Sequence, residues 1–197
     1  CSKIVDAAEV GLVSSCILYQ GTASDSEFSQ FCGEVTPALQ ARDVAVLVAD
    51  DTQVFGRCGA DGLFLEKTRG ELDRAIERFS PEKIIGCGGF KNRDGALRLG
   101  ELKPDFVLFG KLGGDIRPEA HPKNLTIADW WSEMVEIPGI ILAGNAIESI
   151  IECSQTGADF VAAETCVFSH PEGPAAAVKH IEQLLEEHAP RFEEAEG

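Results

Sequence analysis

The sequence has no apolar run near the roughly 20 residues that a bilayer-spanning helix needs, and it opens without a signal-peptide pattern. Neither a membrane span nor secretion is expected. It also lacks any C-x-x-C pair. Its seven cysteines, Cys1, Cys16, Cys32, Cys58, Cys87, Cys153 and Cys166, are odd in number, and several sit in apolar runs. That scatter argues against a disulfide framework or a cysteine zinc site and predicts reduced thiols in a cytoplasmic protein. His121, His170, His180 and His188 show no metal-ligand spacing. Positive charge is scarce, 17 Lys and Arg against 33 Asp and Glu, leaving a net charge of −16. Such a surface repels phosphate backbones and anionic lipid, so neither nucleic acid nor membrane is an expected partner. A small anion can still bind where a few basic groups and backbone amides gather.

What remains is ordinary globular material, with 44% hydrophobic and 25% charged residues over 197 positions. One core and a single domain over 1–197 are expected, with 189–197 as a frayed, Glu-rich tail. Short apolar runs recur at Ser14 to Gln20, Val44 to Ala49, Gly62 to Leu65, Lys83 to Cys87, Phe106 to Gly110, Gly139 to Ala143 and Phe160 to Val167. Each has strand length and is too apolar to leave one face in water, as in a parallel sheet covered on both sides. Amphipathic stretches fall between them, at Ser26 to Arg42, Arg69 to Phe79, Arg93 to Leu102, Thr126 to Val135 and Ile147 to Thr156. In Arg69 to Phe79, for example, Leu72, Ala75, Ile76 and Phe79 share one face. This alternation predicts an α/β fold, a (β/α)8 TIM barrel whose first strand is absent from the given chain, since the sequence begins on a helical pattern. An open, doubly wound sheet is the alternative.

In parallel α/β folds ligands sit beyond the C-terminal strand ends, and four places there carry chemistry. Asp50 and Asp51 follow the second run; adjacent acids suit Mg2+, or Asp51 caps the next helix. Gly144 and Asn145, with Glu164 and Thr165 after Phe160 to Ala162, suit a phosphate held by loop amides, or Gly144 serves only a turn. The stretch from Lys111 to Lys123, with Gly113, Gly114 and Arg117, reads as an anion-gripping mobile loop, or as disorder. Gly86 to Gly89 permits close backbone approach by a ligand, and Cys87 is a buried or lining thiol in the absence of a nearby base. Of Trp130 and Trp131, one packs on the barrel.

The order of these motifs resembles thiamine phosphate synthase and its thiazole tautomerase-like relatives. Ala49-Asp50-Asp51 stands where that family has Asn-Asp, and Gly59-Ala60-Asp61-Gly62-Leu63 matches its Gly-Ala-Asp-Gly-Val. Pro104 to Gly110, Ile137-Pro138, Ala143-Gly144-Asn145 and Thr156 to Val161 match its later strand signatures. The resemblance implies a transferase joining hydroxymethylpyrimidine diphosphate to thiazole phosphate, with Mg2+ assisting pyrophosphate departure. It implies Asp51 as metal ligand, Arg117 and Lys111 as catalytic cations, and Gln20, Asp50, Gly88, Gly113, Gly144, Asn145, Glu164 and Thr165 as substrate-binding residues. It also leaves a homodimer open. Departures are several: Gln20 replaces an arginine, Gly88 a serine, Phe64-Leu65-Glu66-Lys67 a His-Leu-Gly-Gln run, and Asp115-Ile116-Arg117 a Thr-x-Thr-Lys loop. The second metal-binding acid has no counterpart among Thr68, Arg69 and Gly70. A metal-free thiazole phosphate tautomerase and a non-catalytic binder of a phosphorylated small molecule are therefore the alternative readings.

Overall fold

Seven parallel strands and nine helices appear in the computed structural model, which describes residues 1–66 and 68–190. The strands are β1 (Ser15–Leu18), β2 (Ala45–Ala49), β3 (Gly62–Leu65), β4 (Ile84–Cys87), β5 (Phe106–Phe109), β6 (Gly139–Leu142) and β7 (Phe160–Ala162). They pair in chain order, each parallel to the next, in the curled sheet of a TIM-barrel-like fold. The helices are α1 (Ser2–Ala8), α2 (Asp25–Gln40), α3 (Thr52–Cys58), α4 (Arg69–Phe79), α5 (Arg93–Gly100), α6 (Pro122–Met134), α7 (Ser149–Ser154), α8 (Thr165–Phe168) and α9 (Pro174–His188). Among the described residues β1 and β7 are the sheet edges. Their ends meet where the Tyr19 hydroxyl donates to Glu164 Oε1.

Alternate strand residues build two cores. Val46, Val48, Leu63, Leu65, Val107, Phe109 and Ile141 face the helices, while Leu47, Ala49, Phe64, Phe106, Leu108 and Ile140 fill the sheet's inner face. Phe64 and Phe106 stack there at 6.1 Å across β4, where a Cβ on Gly86 would stand 2.1 Å from the Phe106 ring. A Cβ on Gly88 would stand 2.8 Å from Phe64. Both glycines are thus demanded by aromatic packing inside the barrel. Four cysteines are fully buried, and burial pushes the Cys32, Cys87 and Cys153 thiols up to about 12 and that of Cys166 to about 11. Such thiols are poor nucleophiles, Cys87 included.

At the opposite end of the sheet the Asp of each family-like strand signature does structural work. Asp61, Asp105 and Asp159 precede β3, β5 and β7, and their carboxylates accept from Val46 N, Ile85 N and Gly139 N at 2.8, 2.7 and 2.8 Å. Each therefore ties its strand to the start of the neighbouring one, using an amide that would otherwise lack an acceptor.

Two expectations need correction. The run from Phe160 to Val167 is not one strand: β7 pairs with β6 only through Ala162, and the chain turns at Glu164 (φ −130, ψ −80) into α8. Beyond that point no β6 residue remains to pair with. The stretch from Ile147 to Thr156 is helical only over Ser149–Ser154: at its start Ser149 N and Ile150 N reach back only three residues, to Ala146 O and Ile147 O, and the left-handed Gly157 (φ 71) ends its last turn. Of the expected tail, residues 191–197 lie outside the described residues.

Candidate active site

The C-terminal strand ends gather most of the singled-out residues at one mouth. The acids after β2 differ sharply in what they do. Asp50 has a left-handed backbone (φ 58) and its Oδ1 accepts from Glu66 N at 3.1 Å across the β2–β3 gap. Asp51 is the N-cap of α3, its Oδ1 accepting from Gln53 N and Val54 N, both at 2.9 Å. That satisfies two of the four amides every helix start leaves open. The capping reading of Asp51 therefore describes at least one of its oxygens.

Glu66, whose standing in for the missing acid the sequence leaves open, lies beside Asp50. Its Oε1 accepts from Leu112 N at 3.3 Å, joining β3 to the loop after β5. Burial raises its pKa above the ordinary 4.5, the Asp50 charge adds to the rise, and the Leu112 bond and the nearby Lys111 charge oppose it. A carboxyl whose folded pKa is raised contributes most below pH 4.5, and that contribution is lost as pH climbs through the folded pKa. Glu66→Gln keeps the acceptor and removes the charge. It is expected to raise the melting temperature at pH 7, with the gain vanishing below about pH 4.5; a pH-independent gain would mean that charge burial is not its source.

The loop from Lys111 to Ala120 is held at both ends and in the middle. Gly114 N donates to Lys111 O at 2.8 Å, closing a turn in which Gly113 (φ 66) is left-handed beneath Tyr19. Ala120 N donates to Glu152 Oε1 at 2.6 Å. Between these points the loop lies on the amides assigned to phosphate. Thr165 N donates to Asp115 Oδ2 at 2.6 Å, Asn145 N to Arg117 O at 2.7 Å and Ala146 N to Pro118 O at 3.2 Å. Gly144 N donates to Ser149 Oγ at 2.9 Å. A Cβ on Gly144 would stand 2.2 Å from Pro118 O, so the glycine permits this loop contact as well as a turn. The side chains of Lys111 and Arg117 are exposed at the rim.

Gln20 follows β1 and is held by its own loop. Its Nε2 donates to Ala23 O at 2.9 Å and Asp25 Oδ1 at 2.8 Å, fixing the start of α2. An open concavity of about 560 Å3 beside it is lined by Tyr19, Gln20, Thr22, Glu27 and Phe31, large enough for a small heterocycle. Burial, then the bond to Glu164, raises the Tyr19 pKa. Glu164 sits at the N-cap of α8 but spends its side chain on Tyr19.

Among the described residues no group of three His, Cys, Asp or Glu gathers as a metal cage, and no helix is long and apolar enough to cross a membrane. The carboxylates present still fit Mg2+ in its usual manner, one or two protein oxygens with the remainder supplied by a substrate's phosphates.

Comparison with known proteins extends the likeness beyond single motifs. The chain is 32% identical over 185 residues to a thiamine-phosphate synthase of Rhodospirillum centenum, covering 92% of this chain and 86% of that protein. It is 28% identical over 186 residues to the corresponding synthase of Hyphomonas neptunium, covering 93% and 84%. In fold it resembles thiamine phosphate pyrophosphorylase from Pyrococcus furiosus, with a TM-score of 0.74 at 20% identity over 94% of this chain and 91% of that one. A 3-hexulose-6-phosphate synthase shares the fold at a TM-score of 0.67 and 18% identity, covering 91% and 93%. The thiamine monophosphate synthase model matches residues 1–167, every strand and the whole mouth from Tyr19 to Thr165. This chain belongs to the thiamine monophosphate synthase family.

Proposed function

We propose that the protein is a thiamine-phosphate synthase, a transferase that joins hydroxymethylpyrimidine diphosphate to thiazole phosphate and releases pyrophosphate. The observation that carries this reading is the 32% identity to the Rhodospirillum centenum synthase across 92% of the chain, which takes in all the mouth loops. In the reaction the pyrimidine methylene carbon leaves oxygen for the thiazole nitrogen, so negative charge grows on the departing pyrophosphate. Lys111 and Arg117, both exposed at the rim, meet that charge. Gln20 lines the heterocycle's concavity and Gly113 packs against its Tyr19 wall, while Asp50 and Gly88 border the inner mouth. The amides of Gly144, Asn145 and Thr165, with Glu164 beside them, form the thiazole phosphate cup.

Mg2+ bound to the diphosphate supplies further neutralisation; Asp51, with Asp50 and Glu66 opposite, would hold it. The chain works as a single domain in the cytoplasm on phosphorylated small molecules, and its reading leaves a homodimer open.

The test is pyrophosphate release from the two substrates, with and without Mg2+, in the native protein and in Asp51→Asn. Asparagine also caps helices well, so the variant keeps α3 intact and removes only the charge. Mg2+-dependent release that falls about 10- to 100-fold in the variant is expected. Absence of release while thiazole phosphate still binds would make the protein a silent binder, and metal-free rearrangement of that thiazole would make it a tautomerase.

A further inference from the structure

The amides of the phosphate cup are already engaged. Asp115 is only 6% exposed, and the amide of Thr165 is its hydrogen-bond donor at 2.6 Å. Among the described residues no Lys, Arg or His forms an ion pair with it. Its charge instead acts on Tyr19 and on Cys166, groups whose own ionisation it opposes, and Tyr19 is bonded to a second acid, Glu164. A buried carboxylate without a cation is costly to hold. The adjacent residues complete the substitution: Arg117 O and Pro118 O take the Asn145 and Ala146 amides, and Ile116, between these anchors, is 79% exposed with no packing of its own.

We propose that Asp115 is an internal anion standing in for the ligand's phosphate, and that a phosphorylated ligand enters only by displacing it. The inference rests on the phosphate-cup reading above and goes beyond it. One carboxylate charge yields to the two charges and three acceptor oxygens of a phosphate, which can take the Thr165 amide and, as the loop lifts, those of Asn145 and Ala146. A neutral or unphosphorylated heterocycle has nothing to exchange for the carboxylate and leaves the loop in place. Asp115 thereby sets selectivity for the phosphorylated substrate and links its arrival to release of the loop that carries Lys111 and Arg117.

The experiment is an NMR titration of the full chain with inorganic phosphate, followed at the Thr165, Asn145 and Ala146 amides, in the native protein, Asp115→Ala and Asp115→Asn. The amide oxygen introduced by Asp115→Asn would keep an acceptor for Thr165, so this second variant holds the native loop even if alanine loosens it. Phosphate is expected to bind about tenfold more tightly to Asp115→Ala than to the native protein, with Asp115→Asn between them. Equal or weaker binding in both variants, with the Thr165 amide still shifting, overturns the inference and leaves the cup intact. No phosphate-dependent shift in any of the three proteins removes the cup reading, and the inference with it.

Discussion

Replacing Trp131 by alanine lowers the free energy of unfolding by about 3–5 kcal/mol, the usual range for emptying a buried aromatic site. Trp131 is 1% exposed on the inner face of α6, and its indole N–H donates to Ile137 O at 2.7 Å. Its ring meets Phe109 of β5 edge-on at 5.7 Å, and Phe109 in turn meets Phe90 at 5.4 Å. The surroundings are shaped to it: a Cβ on Gly100 would stand 2.9 Å from the ring, and one on Gly139 would stand 3.5 Å from it. Rigid backbone on both sides limits collapse into the void, which is why the upper part of the range is expected. Chemical denaturation of Trp131→Ala and Trp131→Phe measures it. Phenylalanine refills most of the volume but cannot serve Ile137 O, so it should recover the larger part of the loss. A Trp131→Ala protein within about 1 kcal/mol of native would show that the α6–β5 contact does not anchor the barrel wall.

The second large effect is at Asp61. Its carboxylate accepts Val46 N at 2.8 Å and Gln40 Nε2 at 3.1 Å, so truncation strands a β2 amide inside the sheet and leaves Gln40 Nε2 only its bond to Gly59 O. Val46 is fully buried, and a buried donor left without an acceptor costs about 1–3 kcal/mol. Asp61→Ala is expected at the top of that range in equilibrium unfolding. Asp105→Ala is expected to cost less, because Asp105 is exposed and water can replace it at Ile85 N. Equal losses at the two sites would show that the Gln40 bond adds nothing. Synthase activity measured at a temperature where both variants are folded should be close to native, since both aspartates lie at the end of the sheet remote from the mouth.

These two aspartates also mark where sequence likeness and chemistry part. Gly59-Ala60-Asp61-Gly62 and Pro104-Asp105-Phe106 helped reveal the family, yet their carboxylates hold strands together and touch no site residue. Gly86 and Gly88 are similar: their position after an apolar run suggested room for a ligand, whereas on the Cβ side of each that room is taken by Phe106 and Phe64. A sequence records that a side chain is absent without recording what fills the space.

The alternation of two-sided apolar runs with amphipathic helices determined strand number and the end that carries the site, because burial on both faces and right-handed crossovers follow from local pattern, while the chain-order pairing of the strands was decided by the structure. The acid pair after β2, the glycine after β6 and the charged loop after β5 were legible for the same reason. Tertiary structure decided which atoms those groups meet. That one Asp51 oxygen caps α3 depends on backbone orientation at a single turn. That Glu66 faces Asp50 and Leu112, and that Asp115 takes the Thr165 amide 50 residues away, depends on how separate loops stack over the mouth. Periodicity fixes which face of an element is buried, but a hydrogen bond between distant loops is set by the relative placement of whole elements, and no spacing in the chain encodes it.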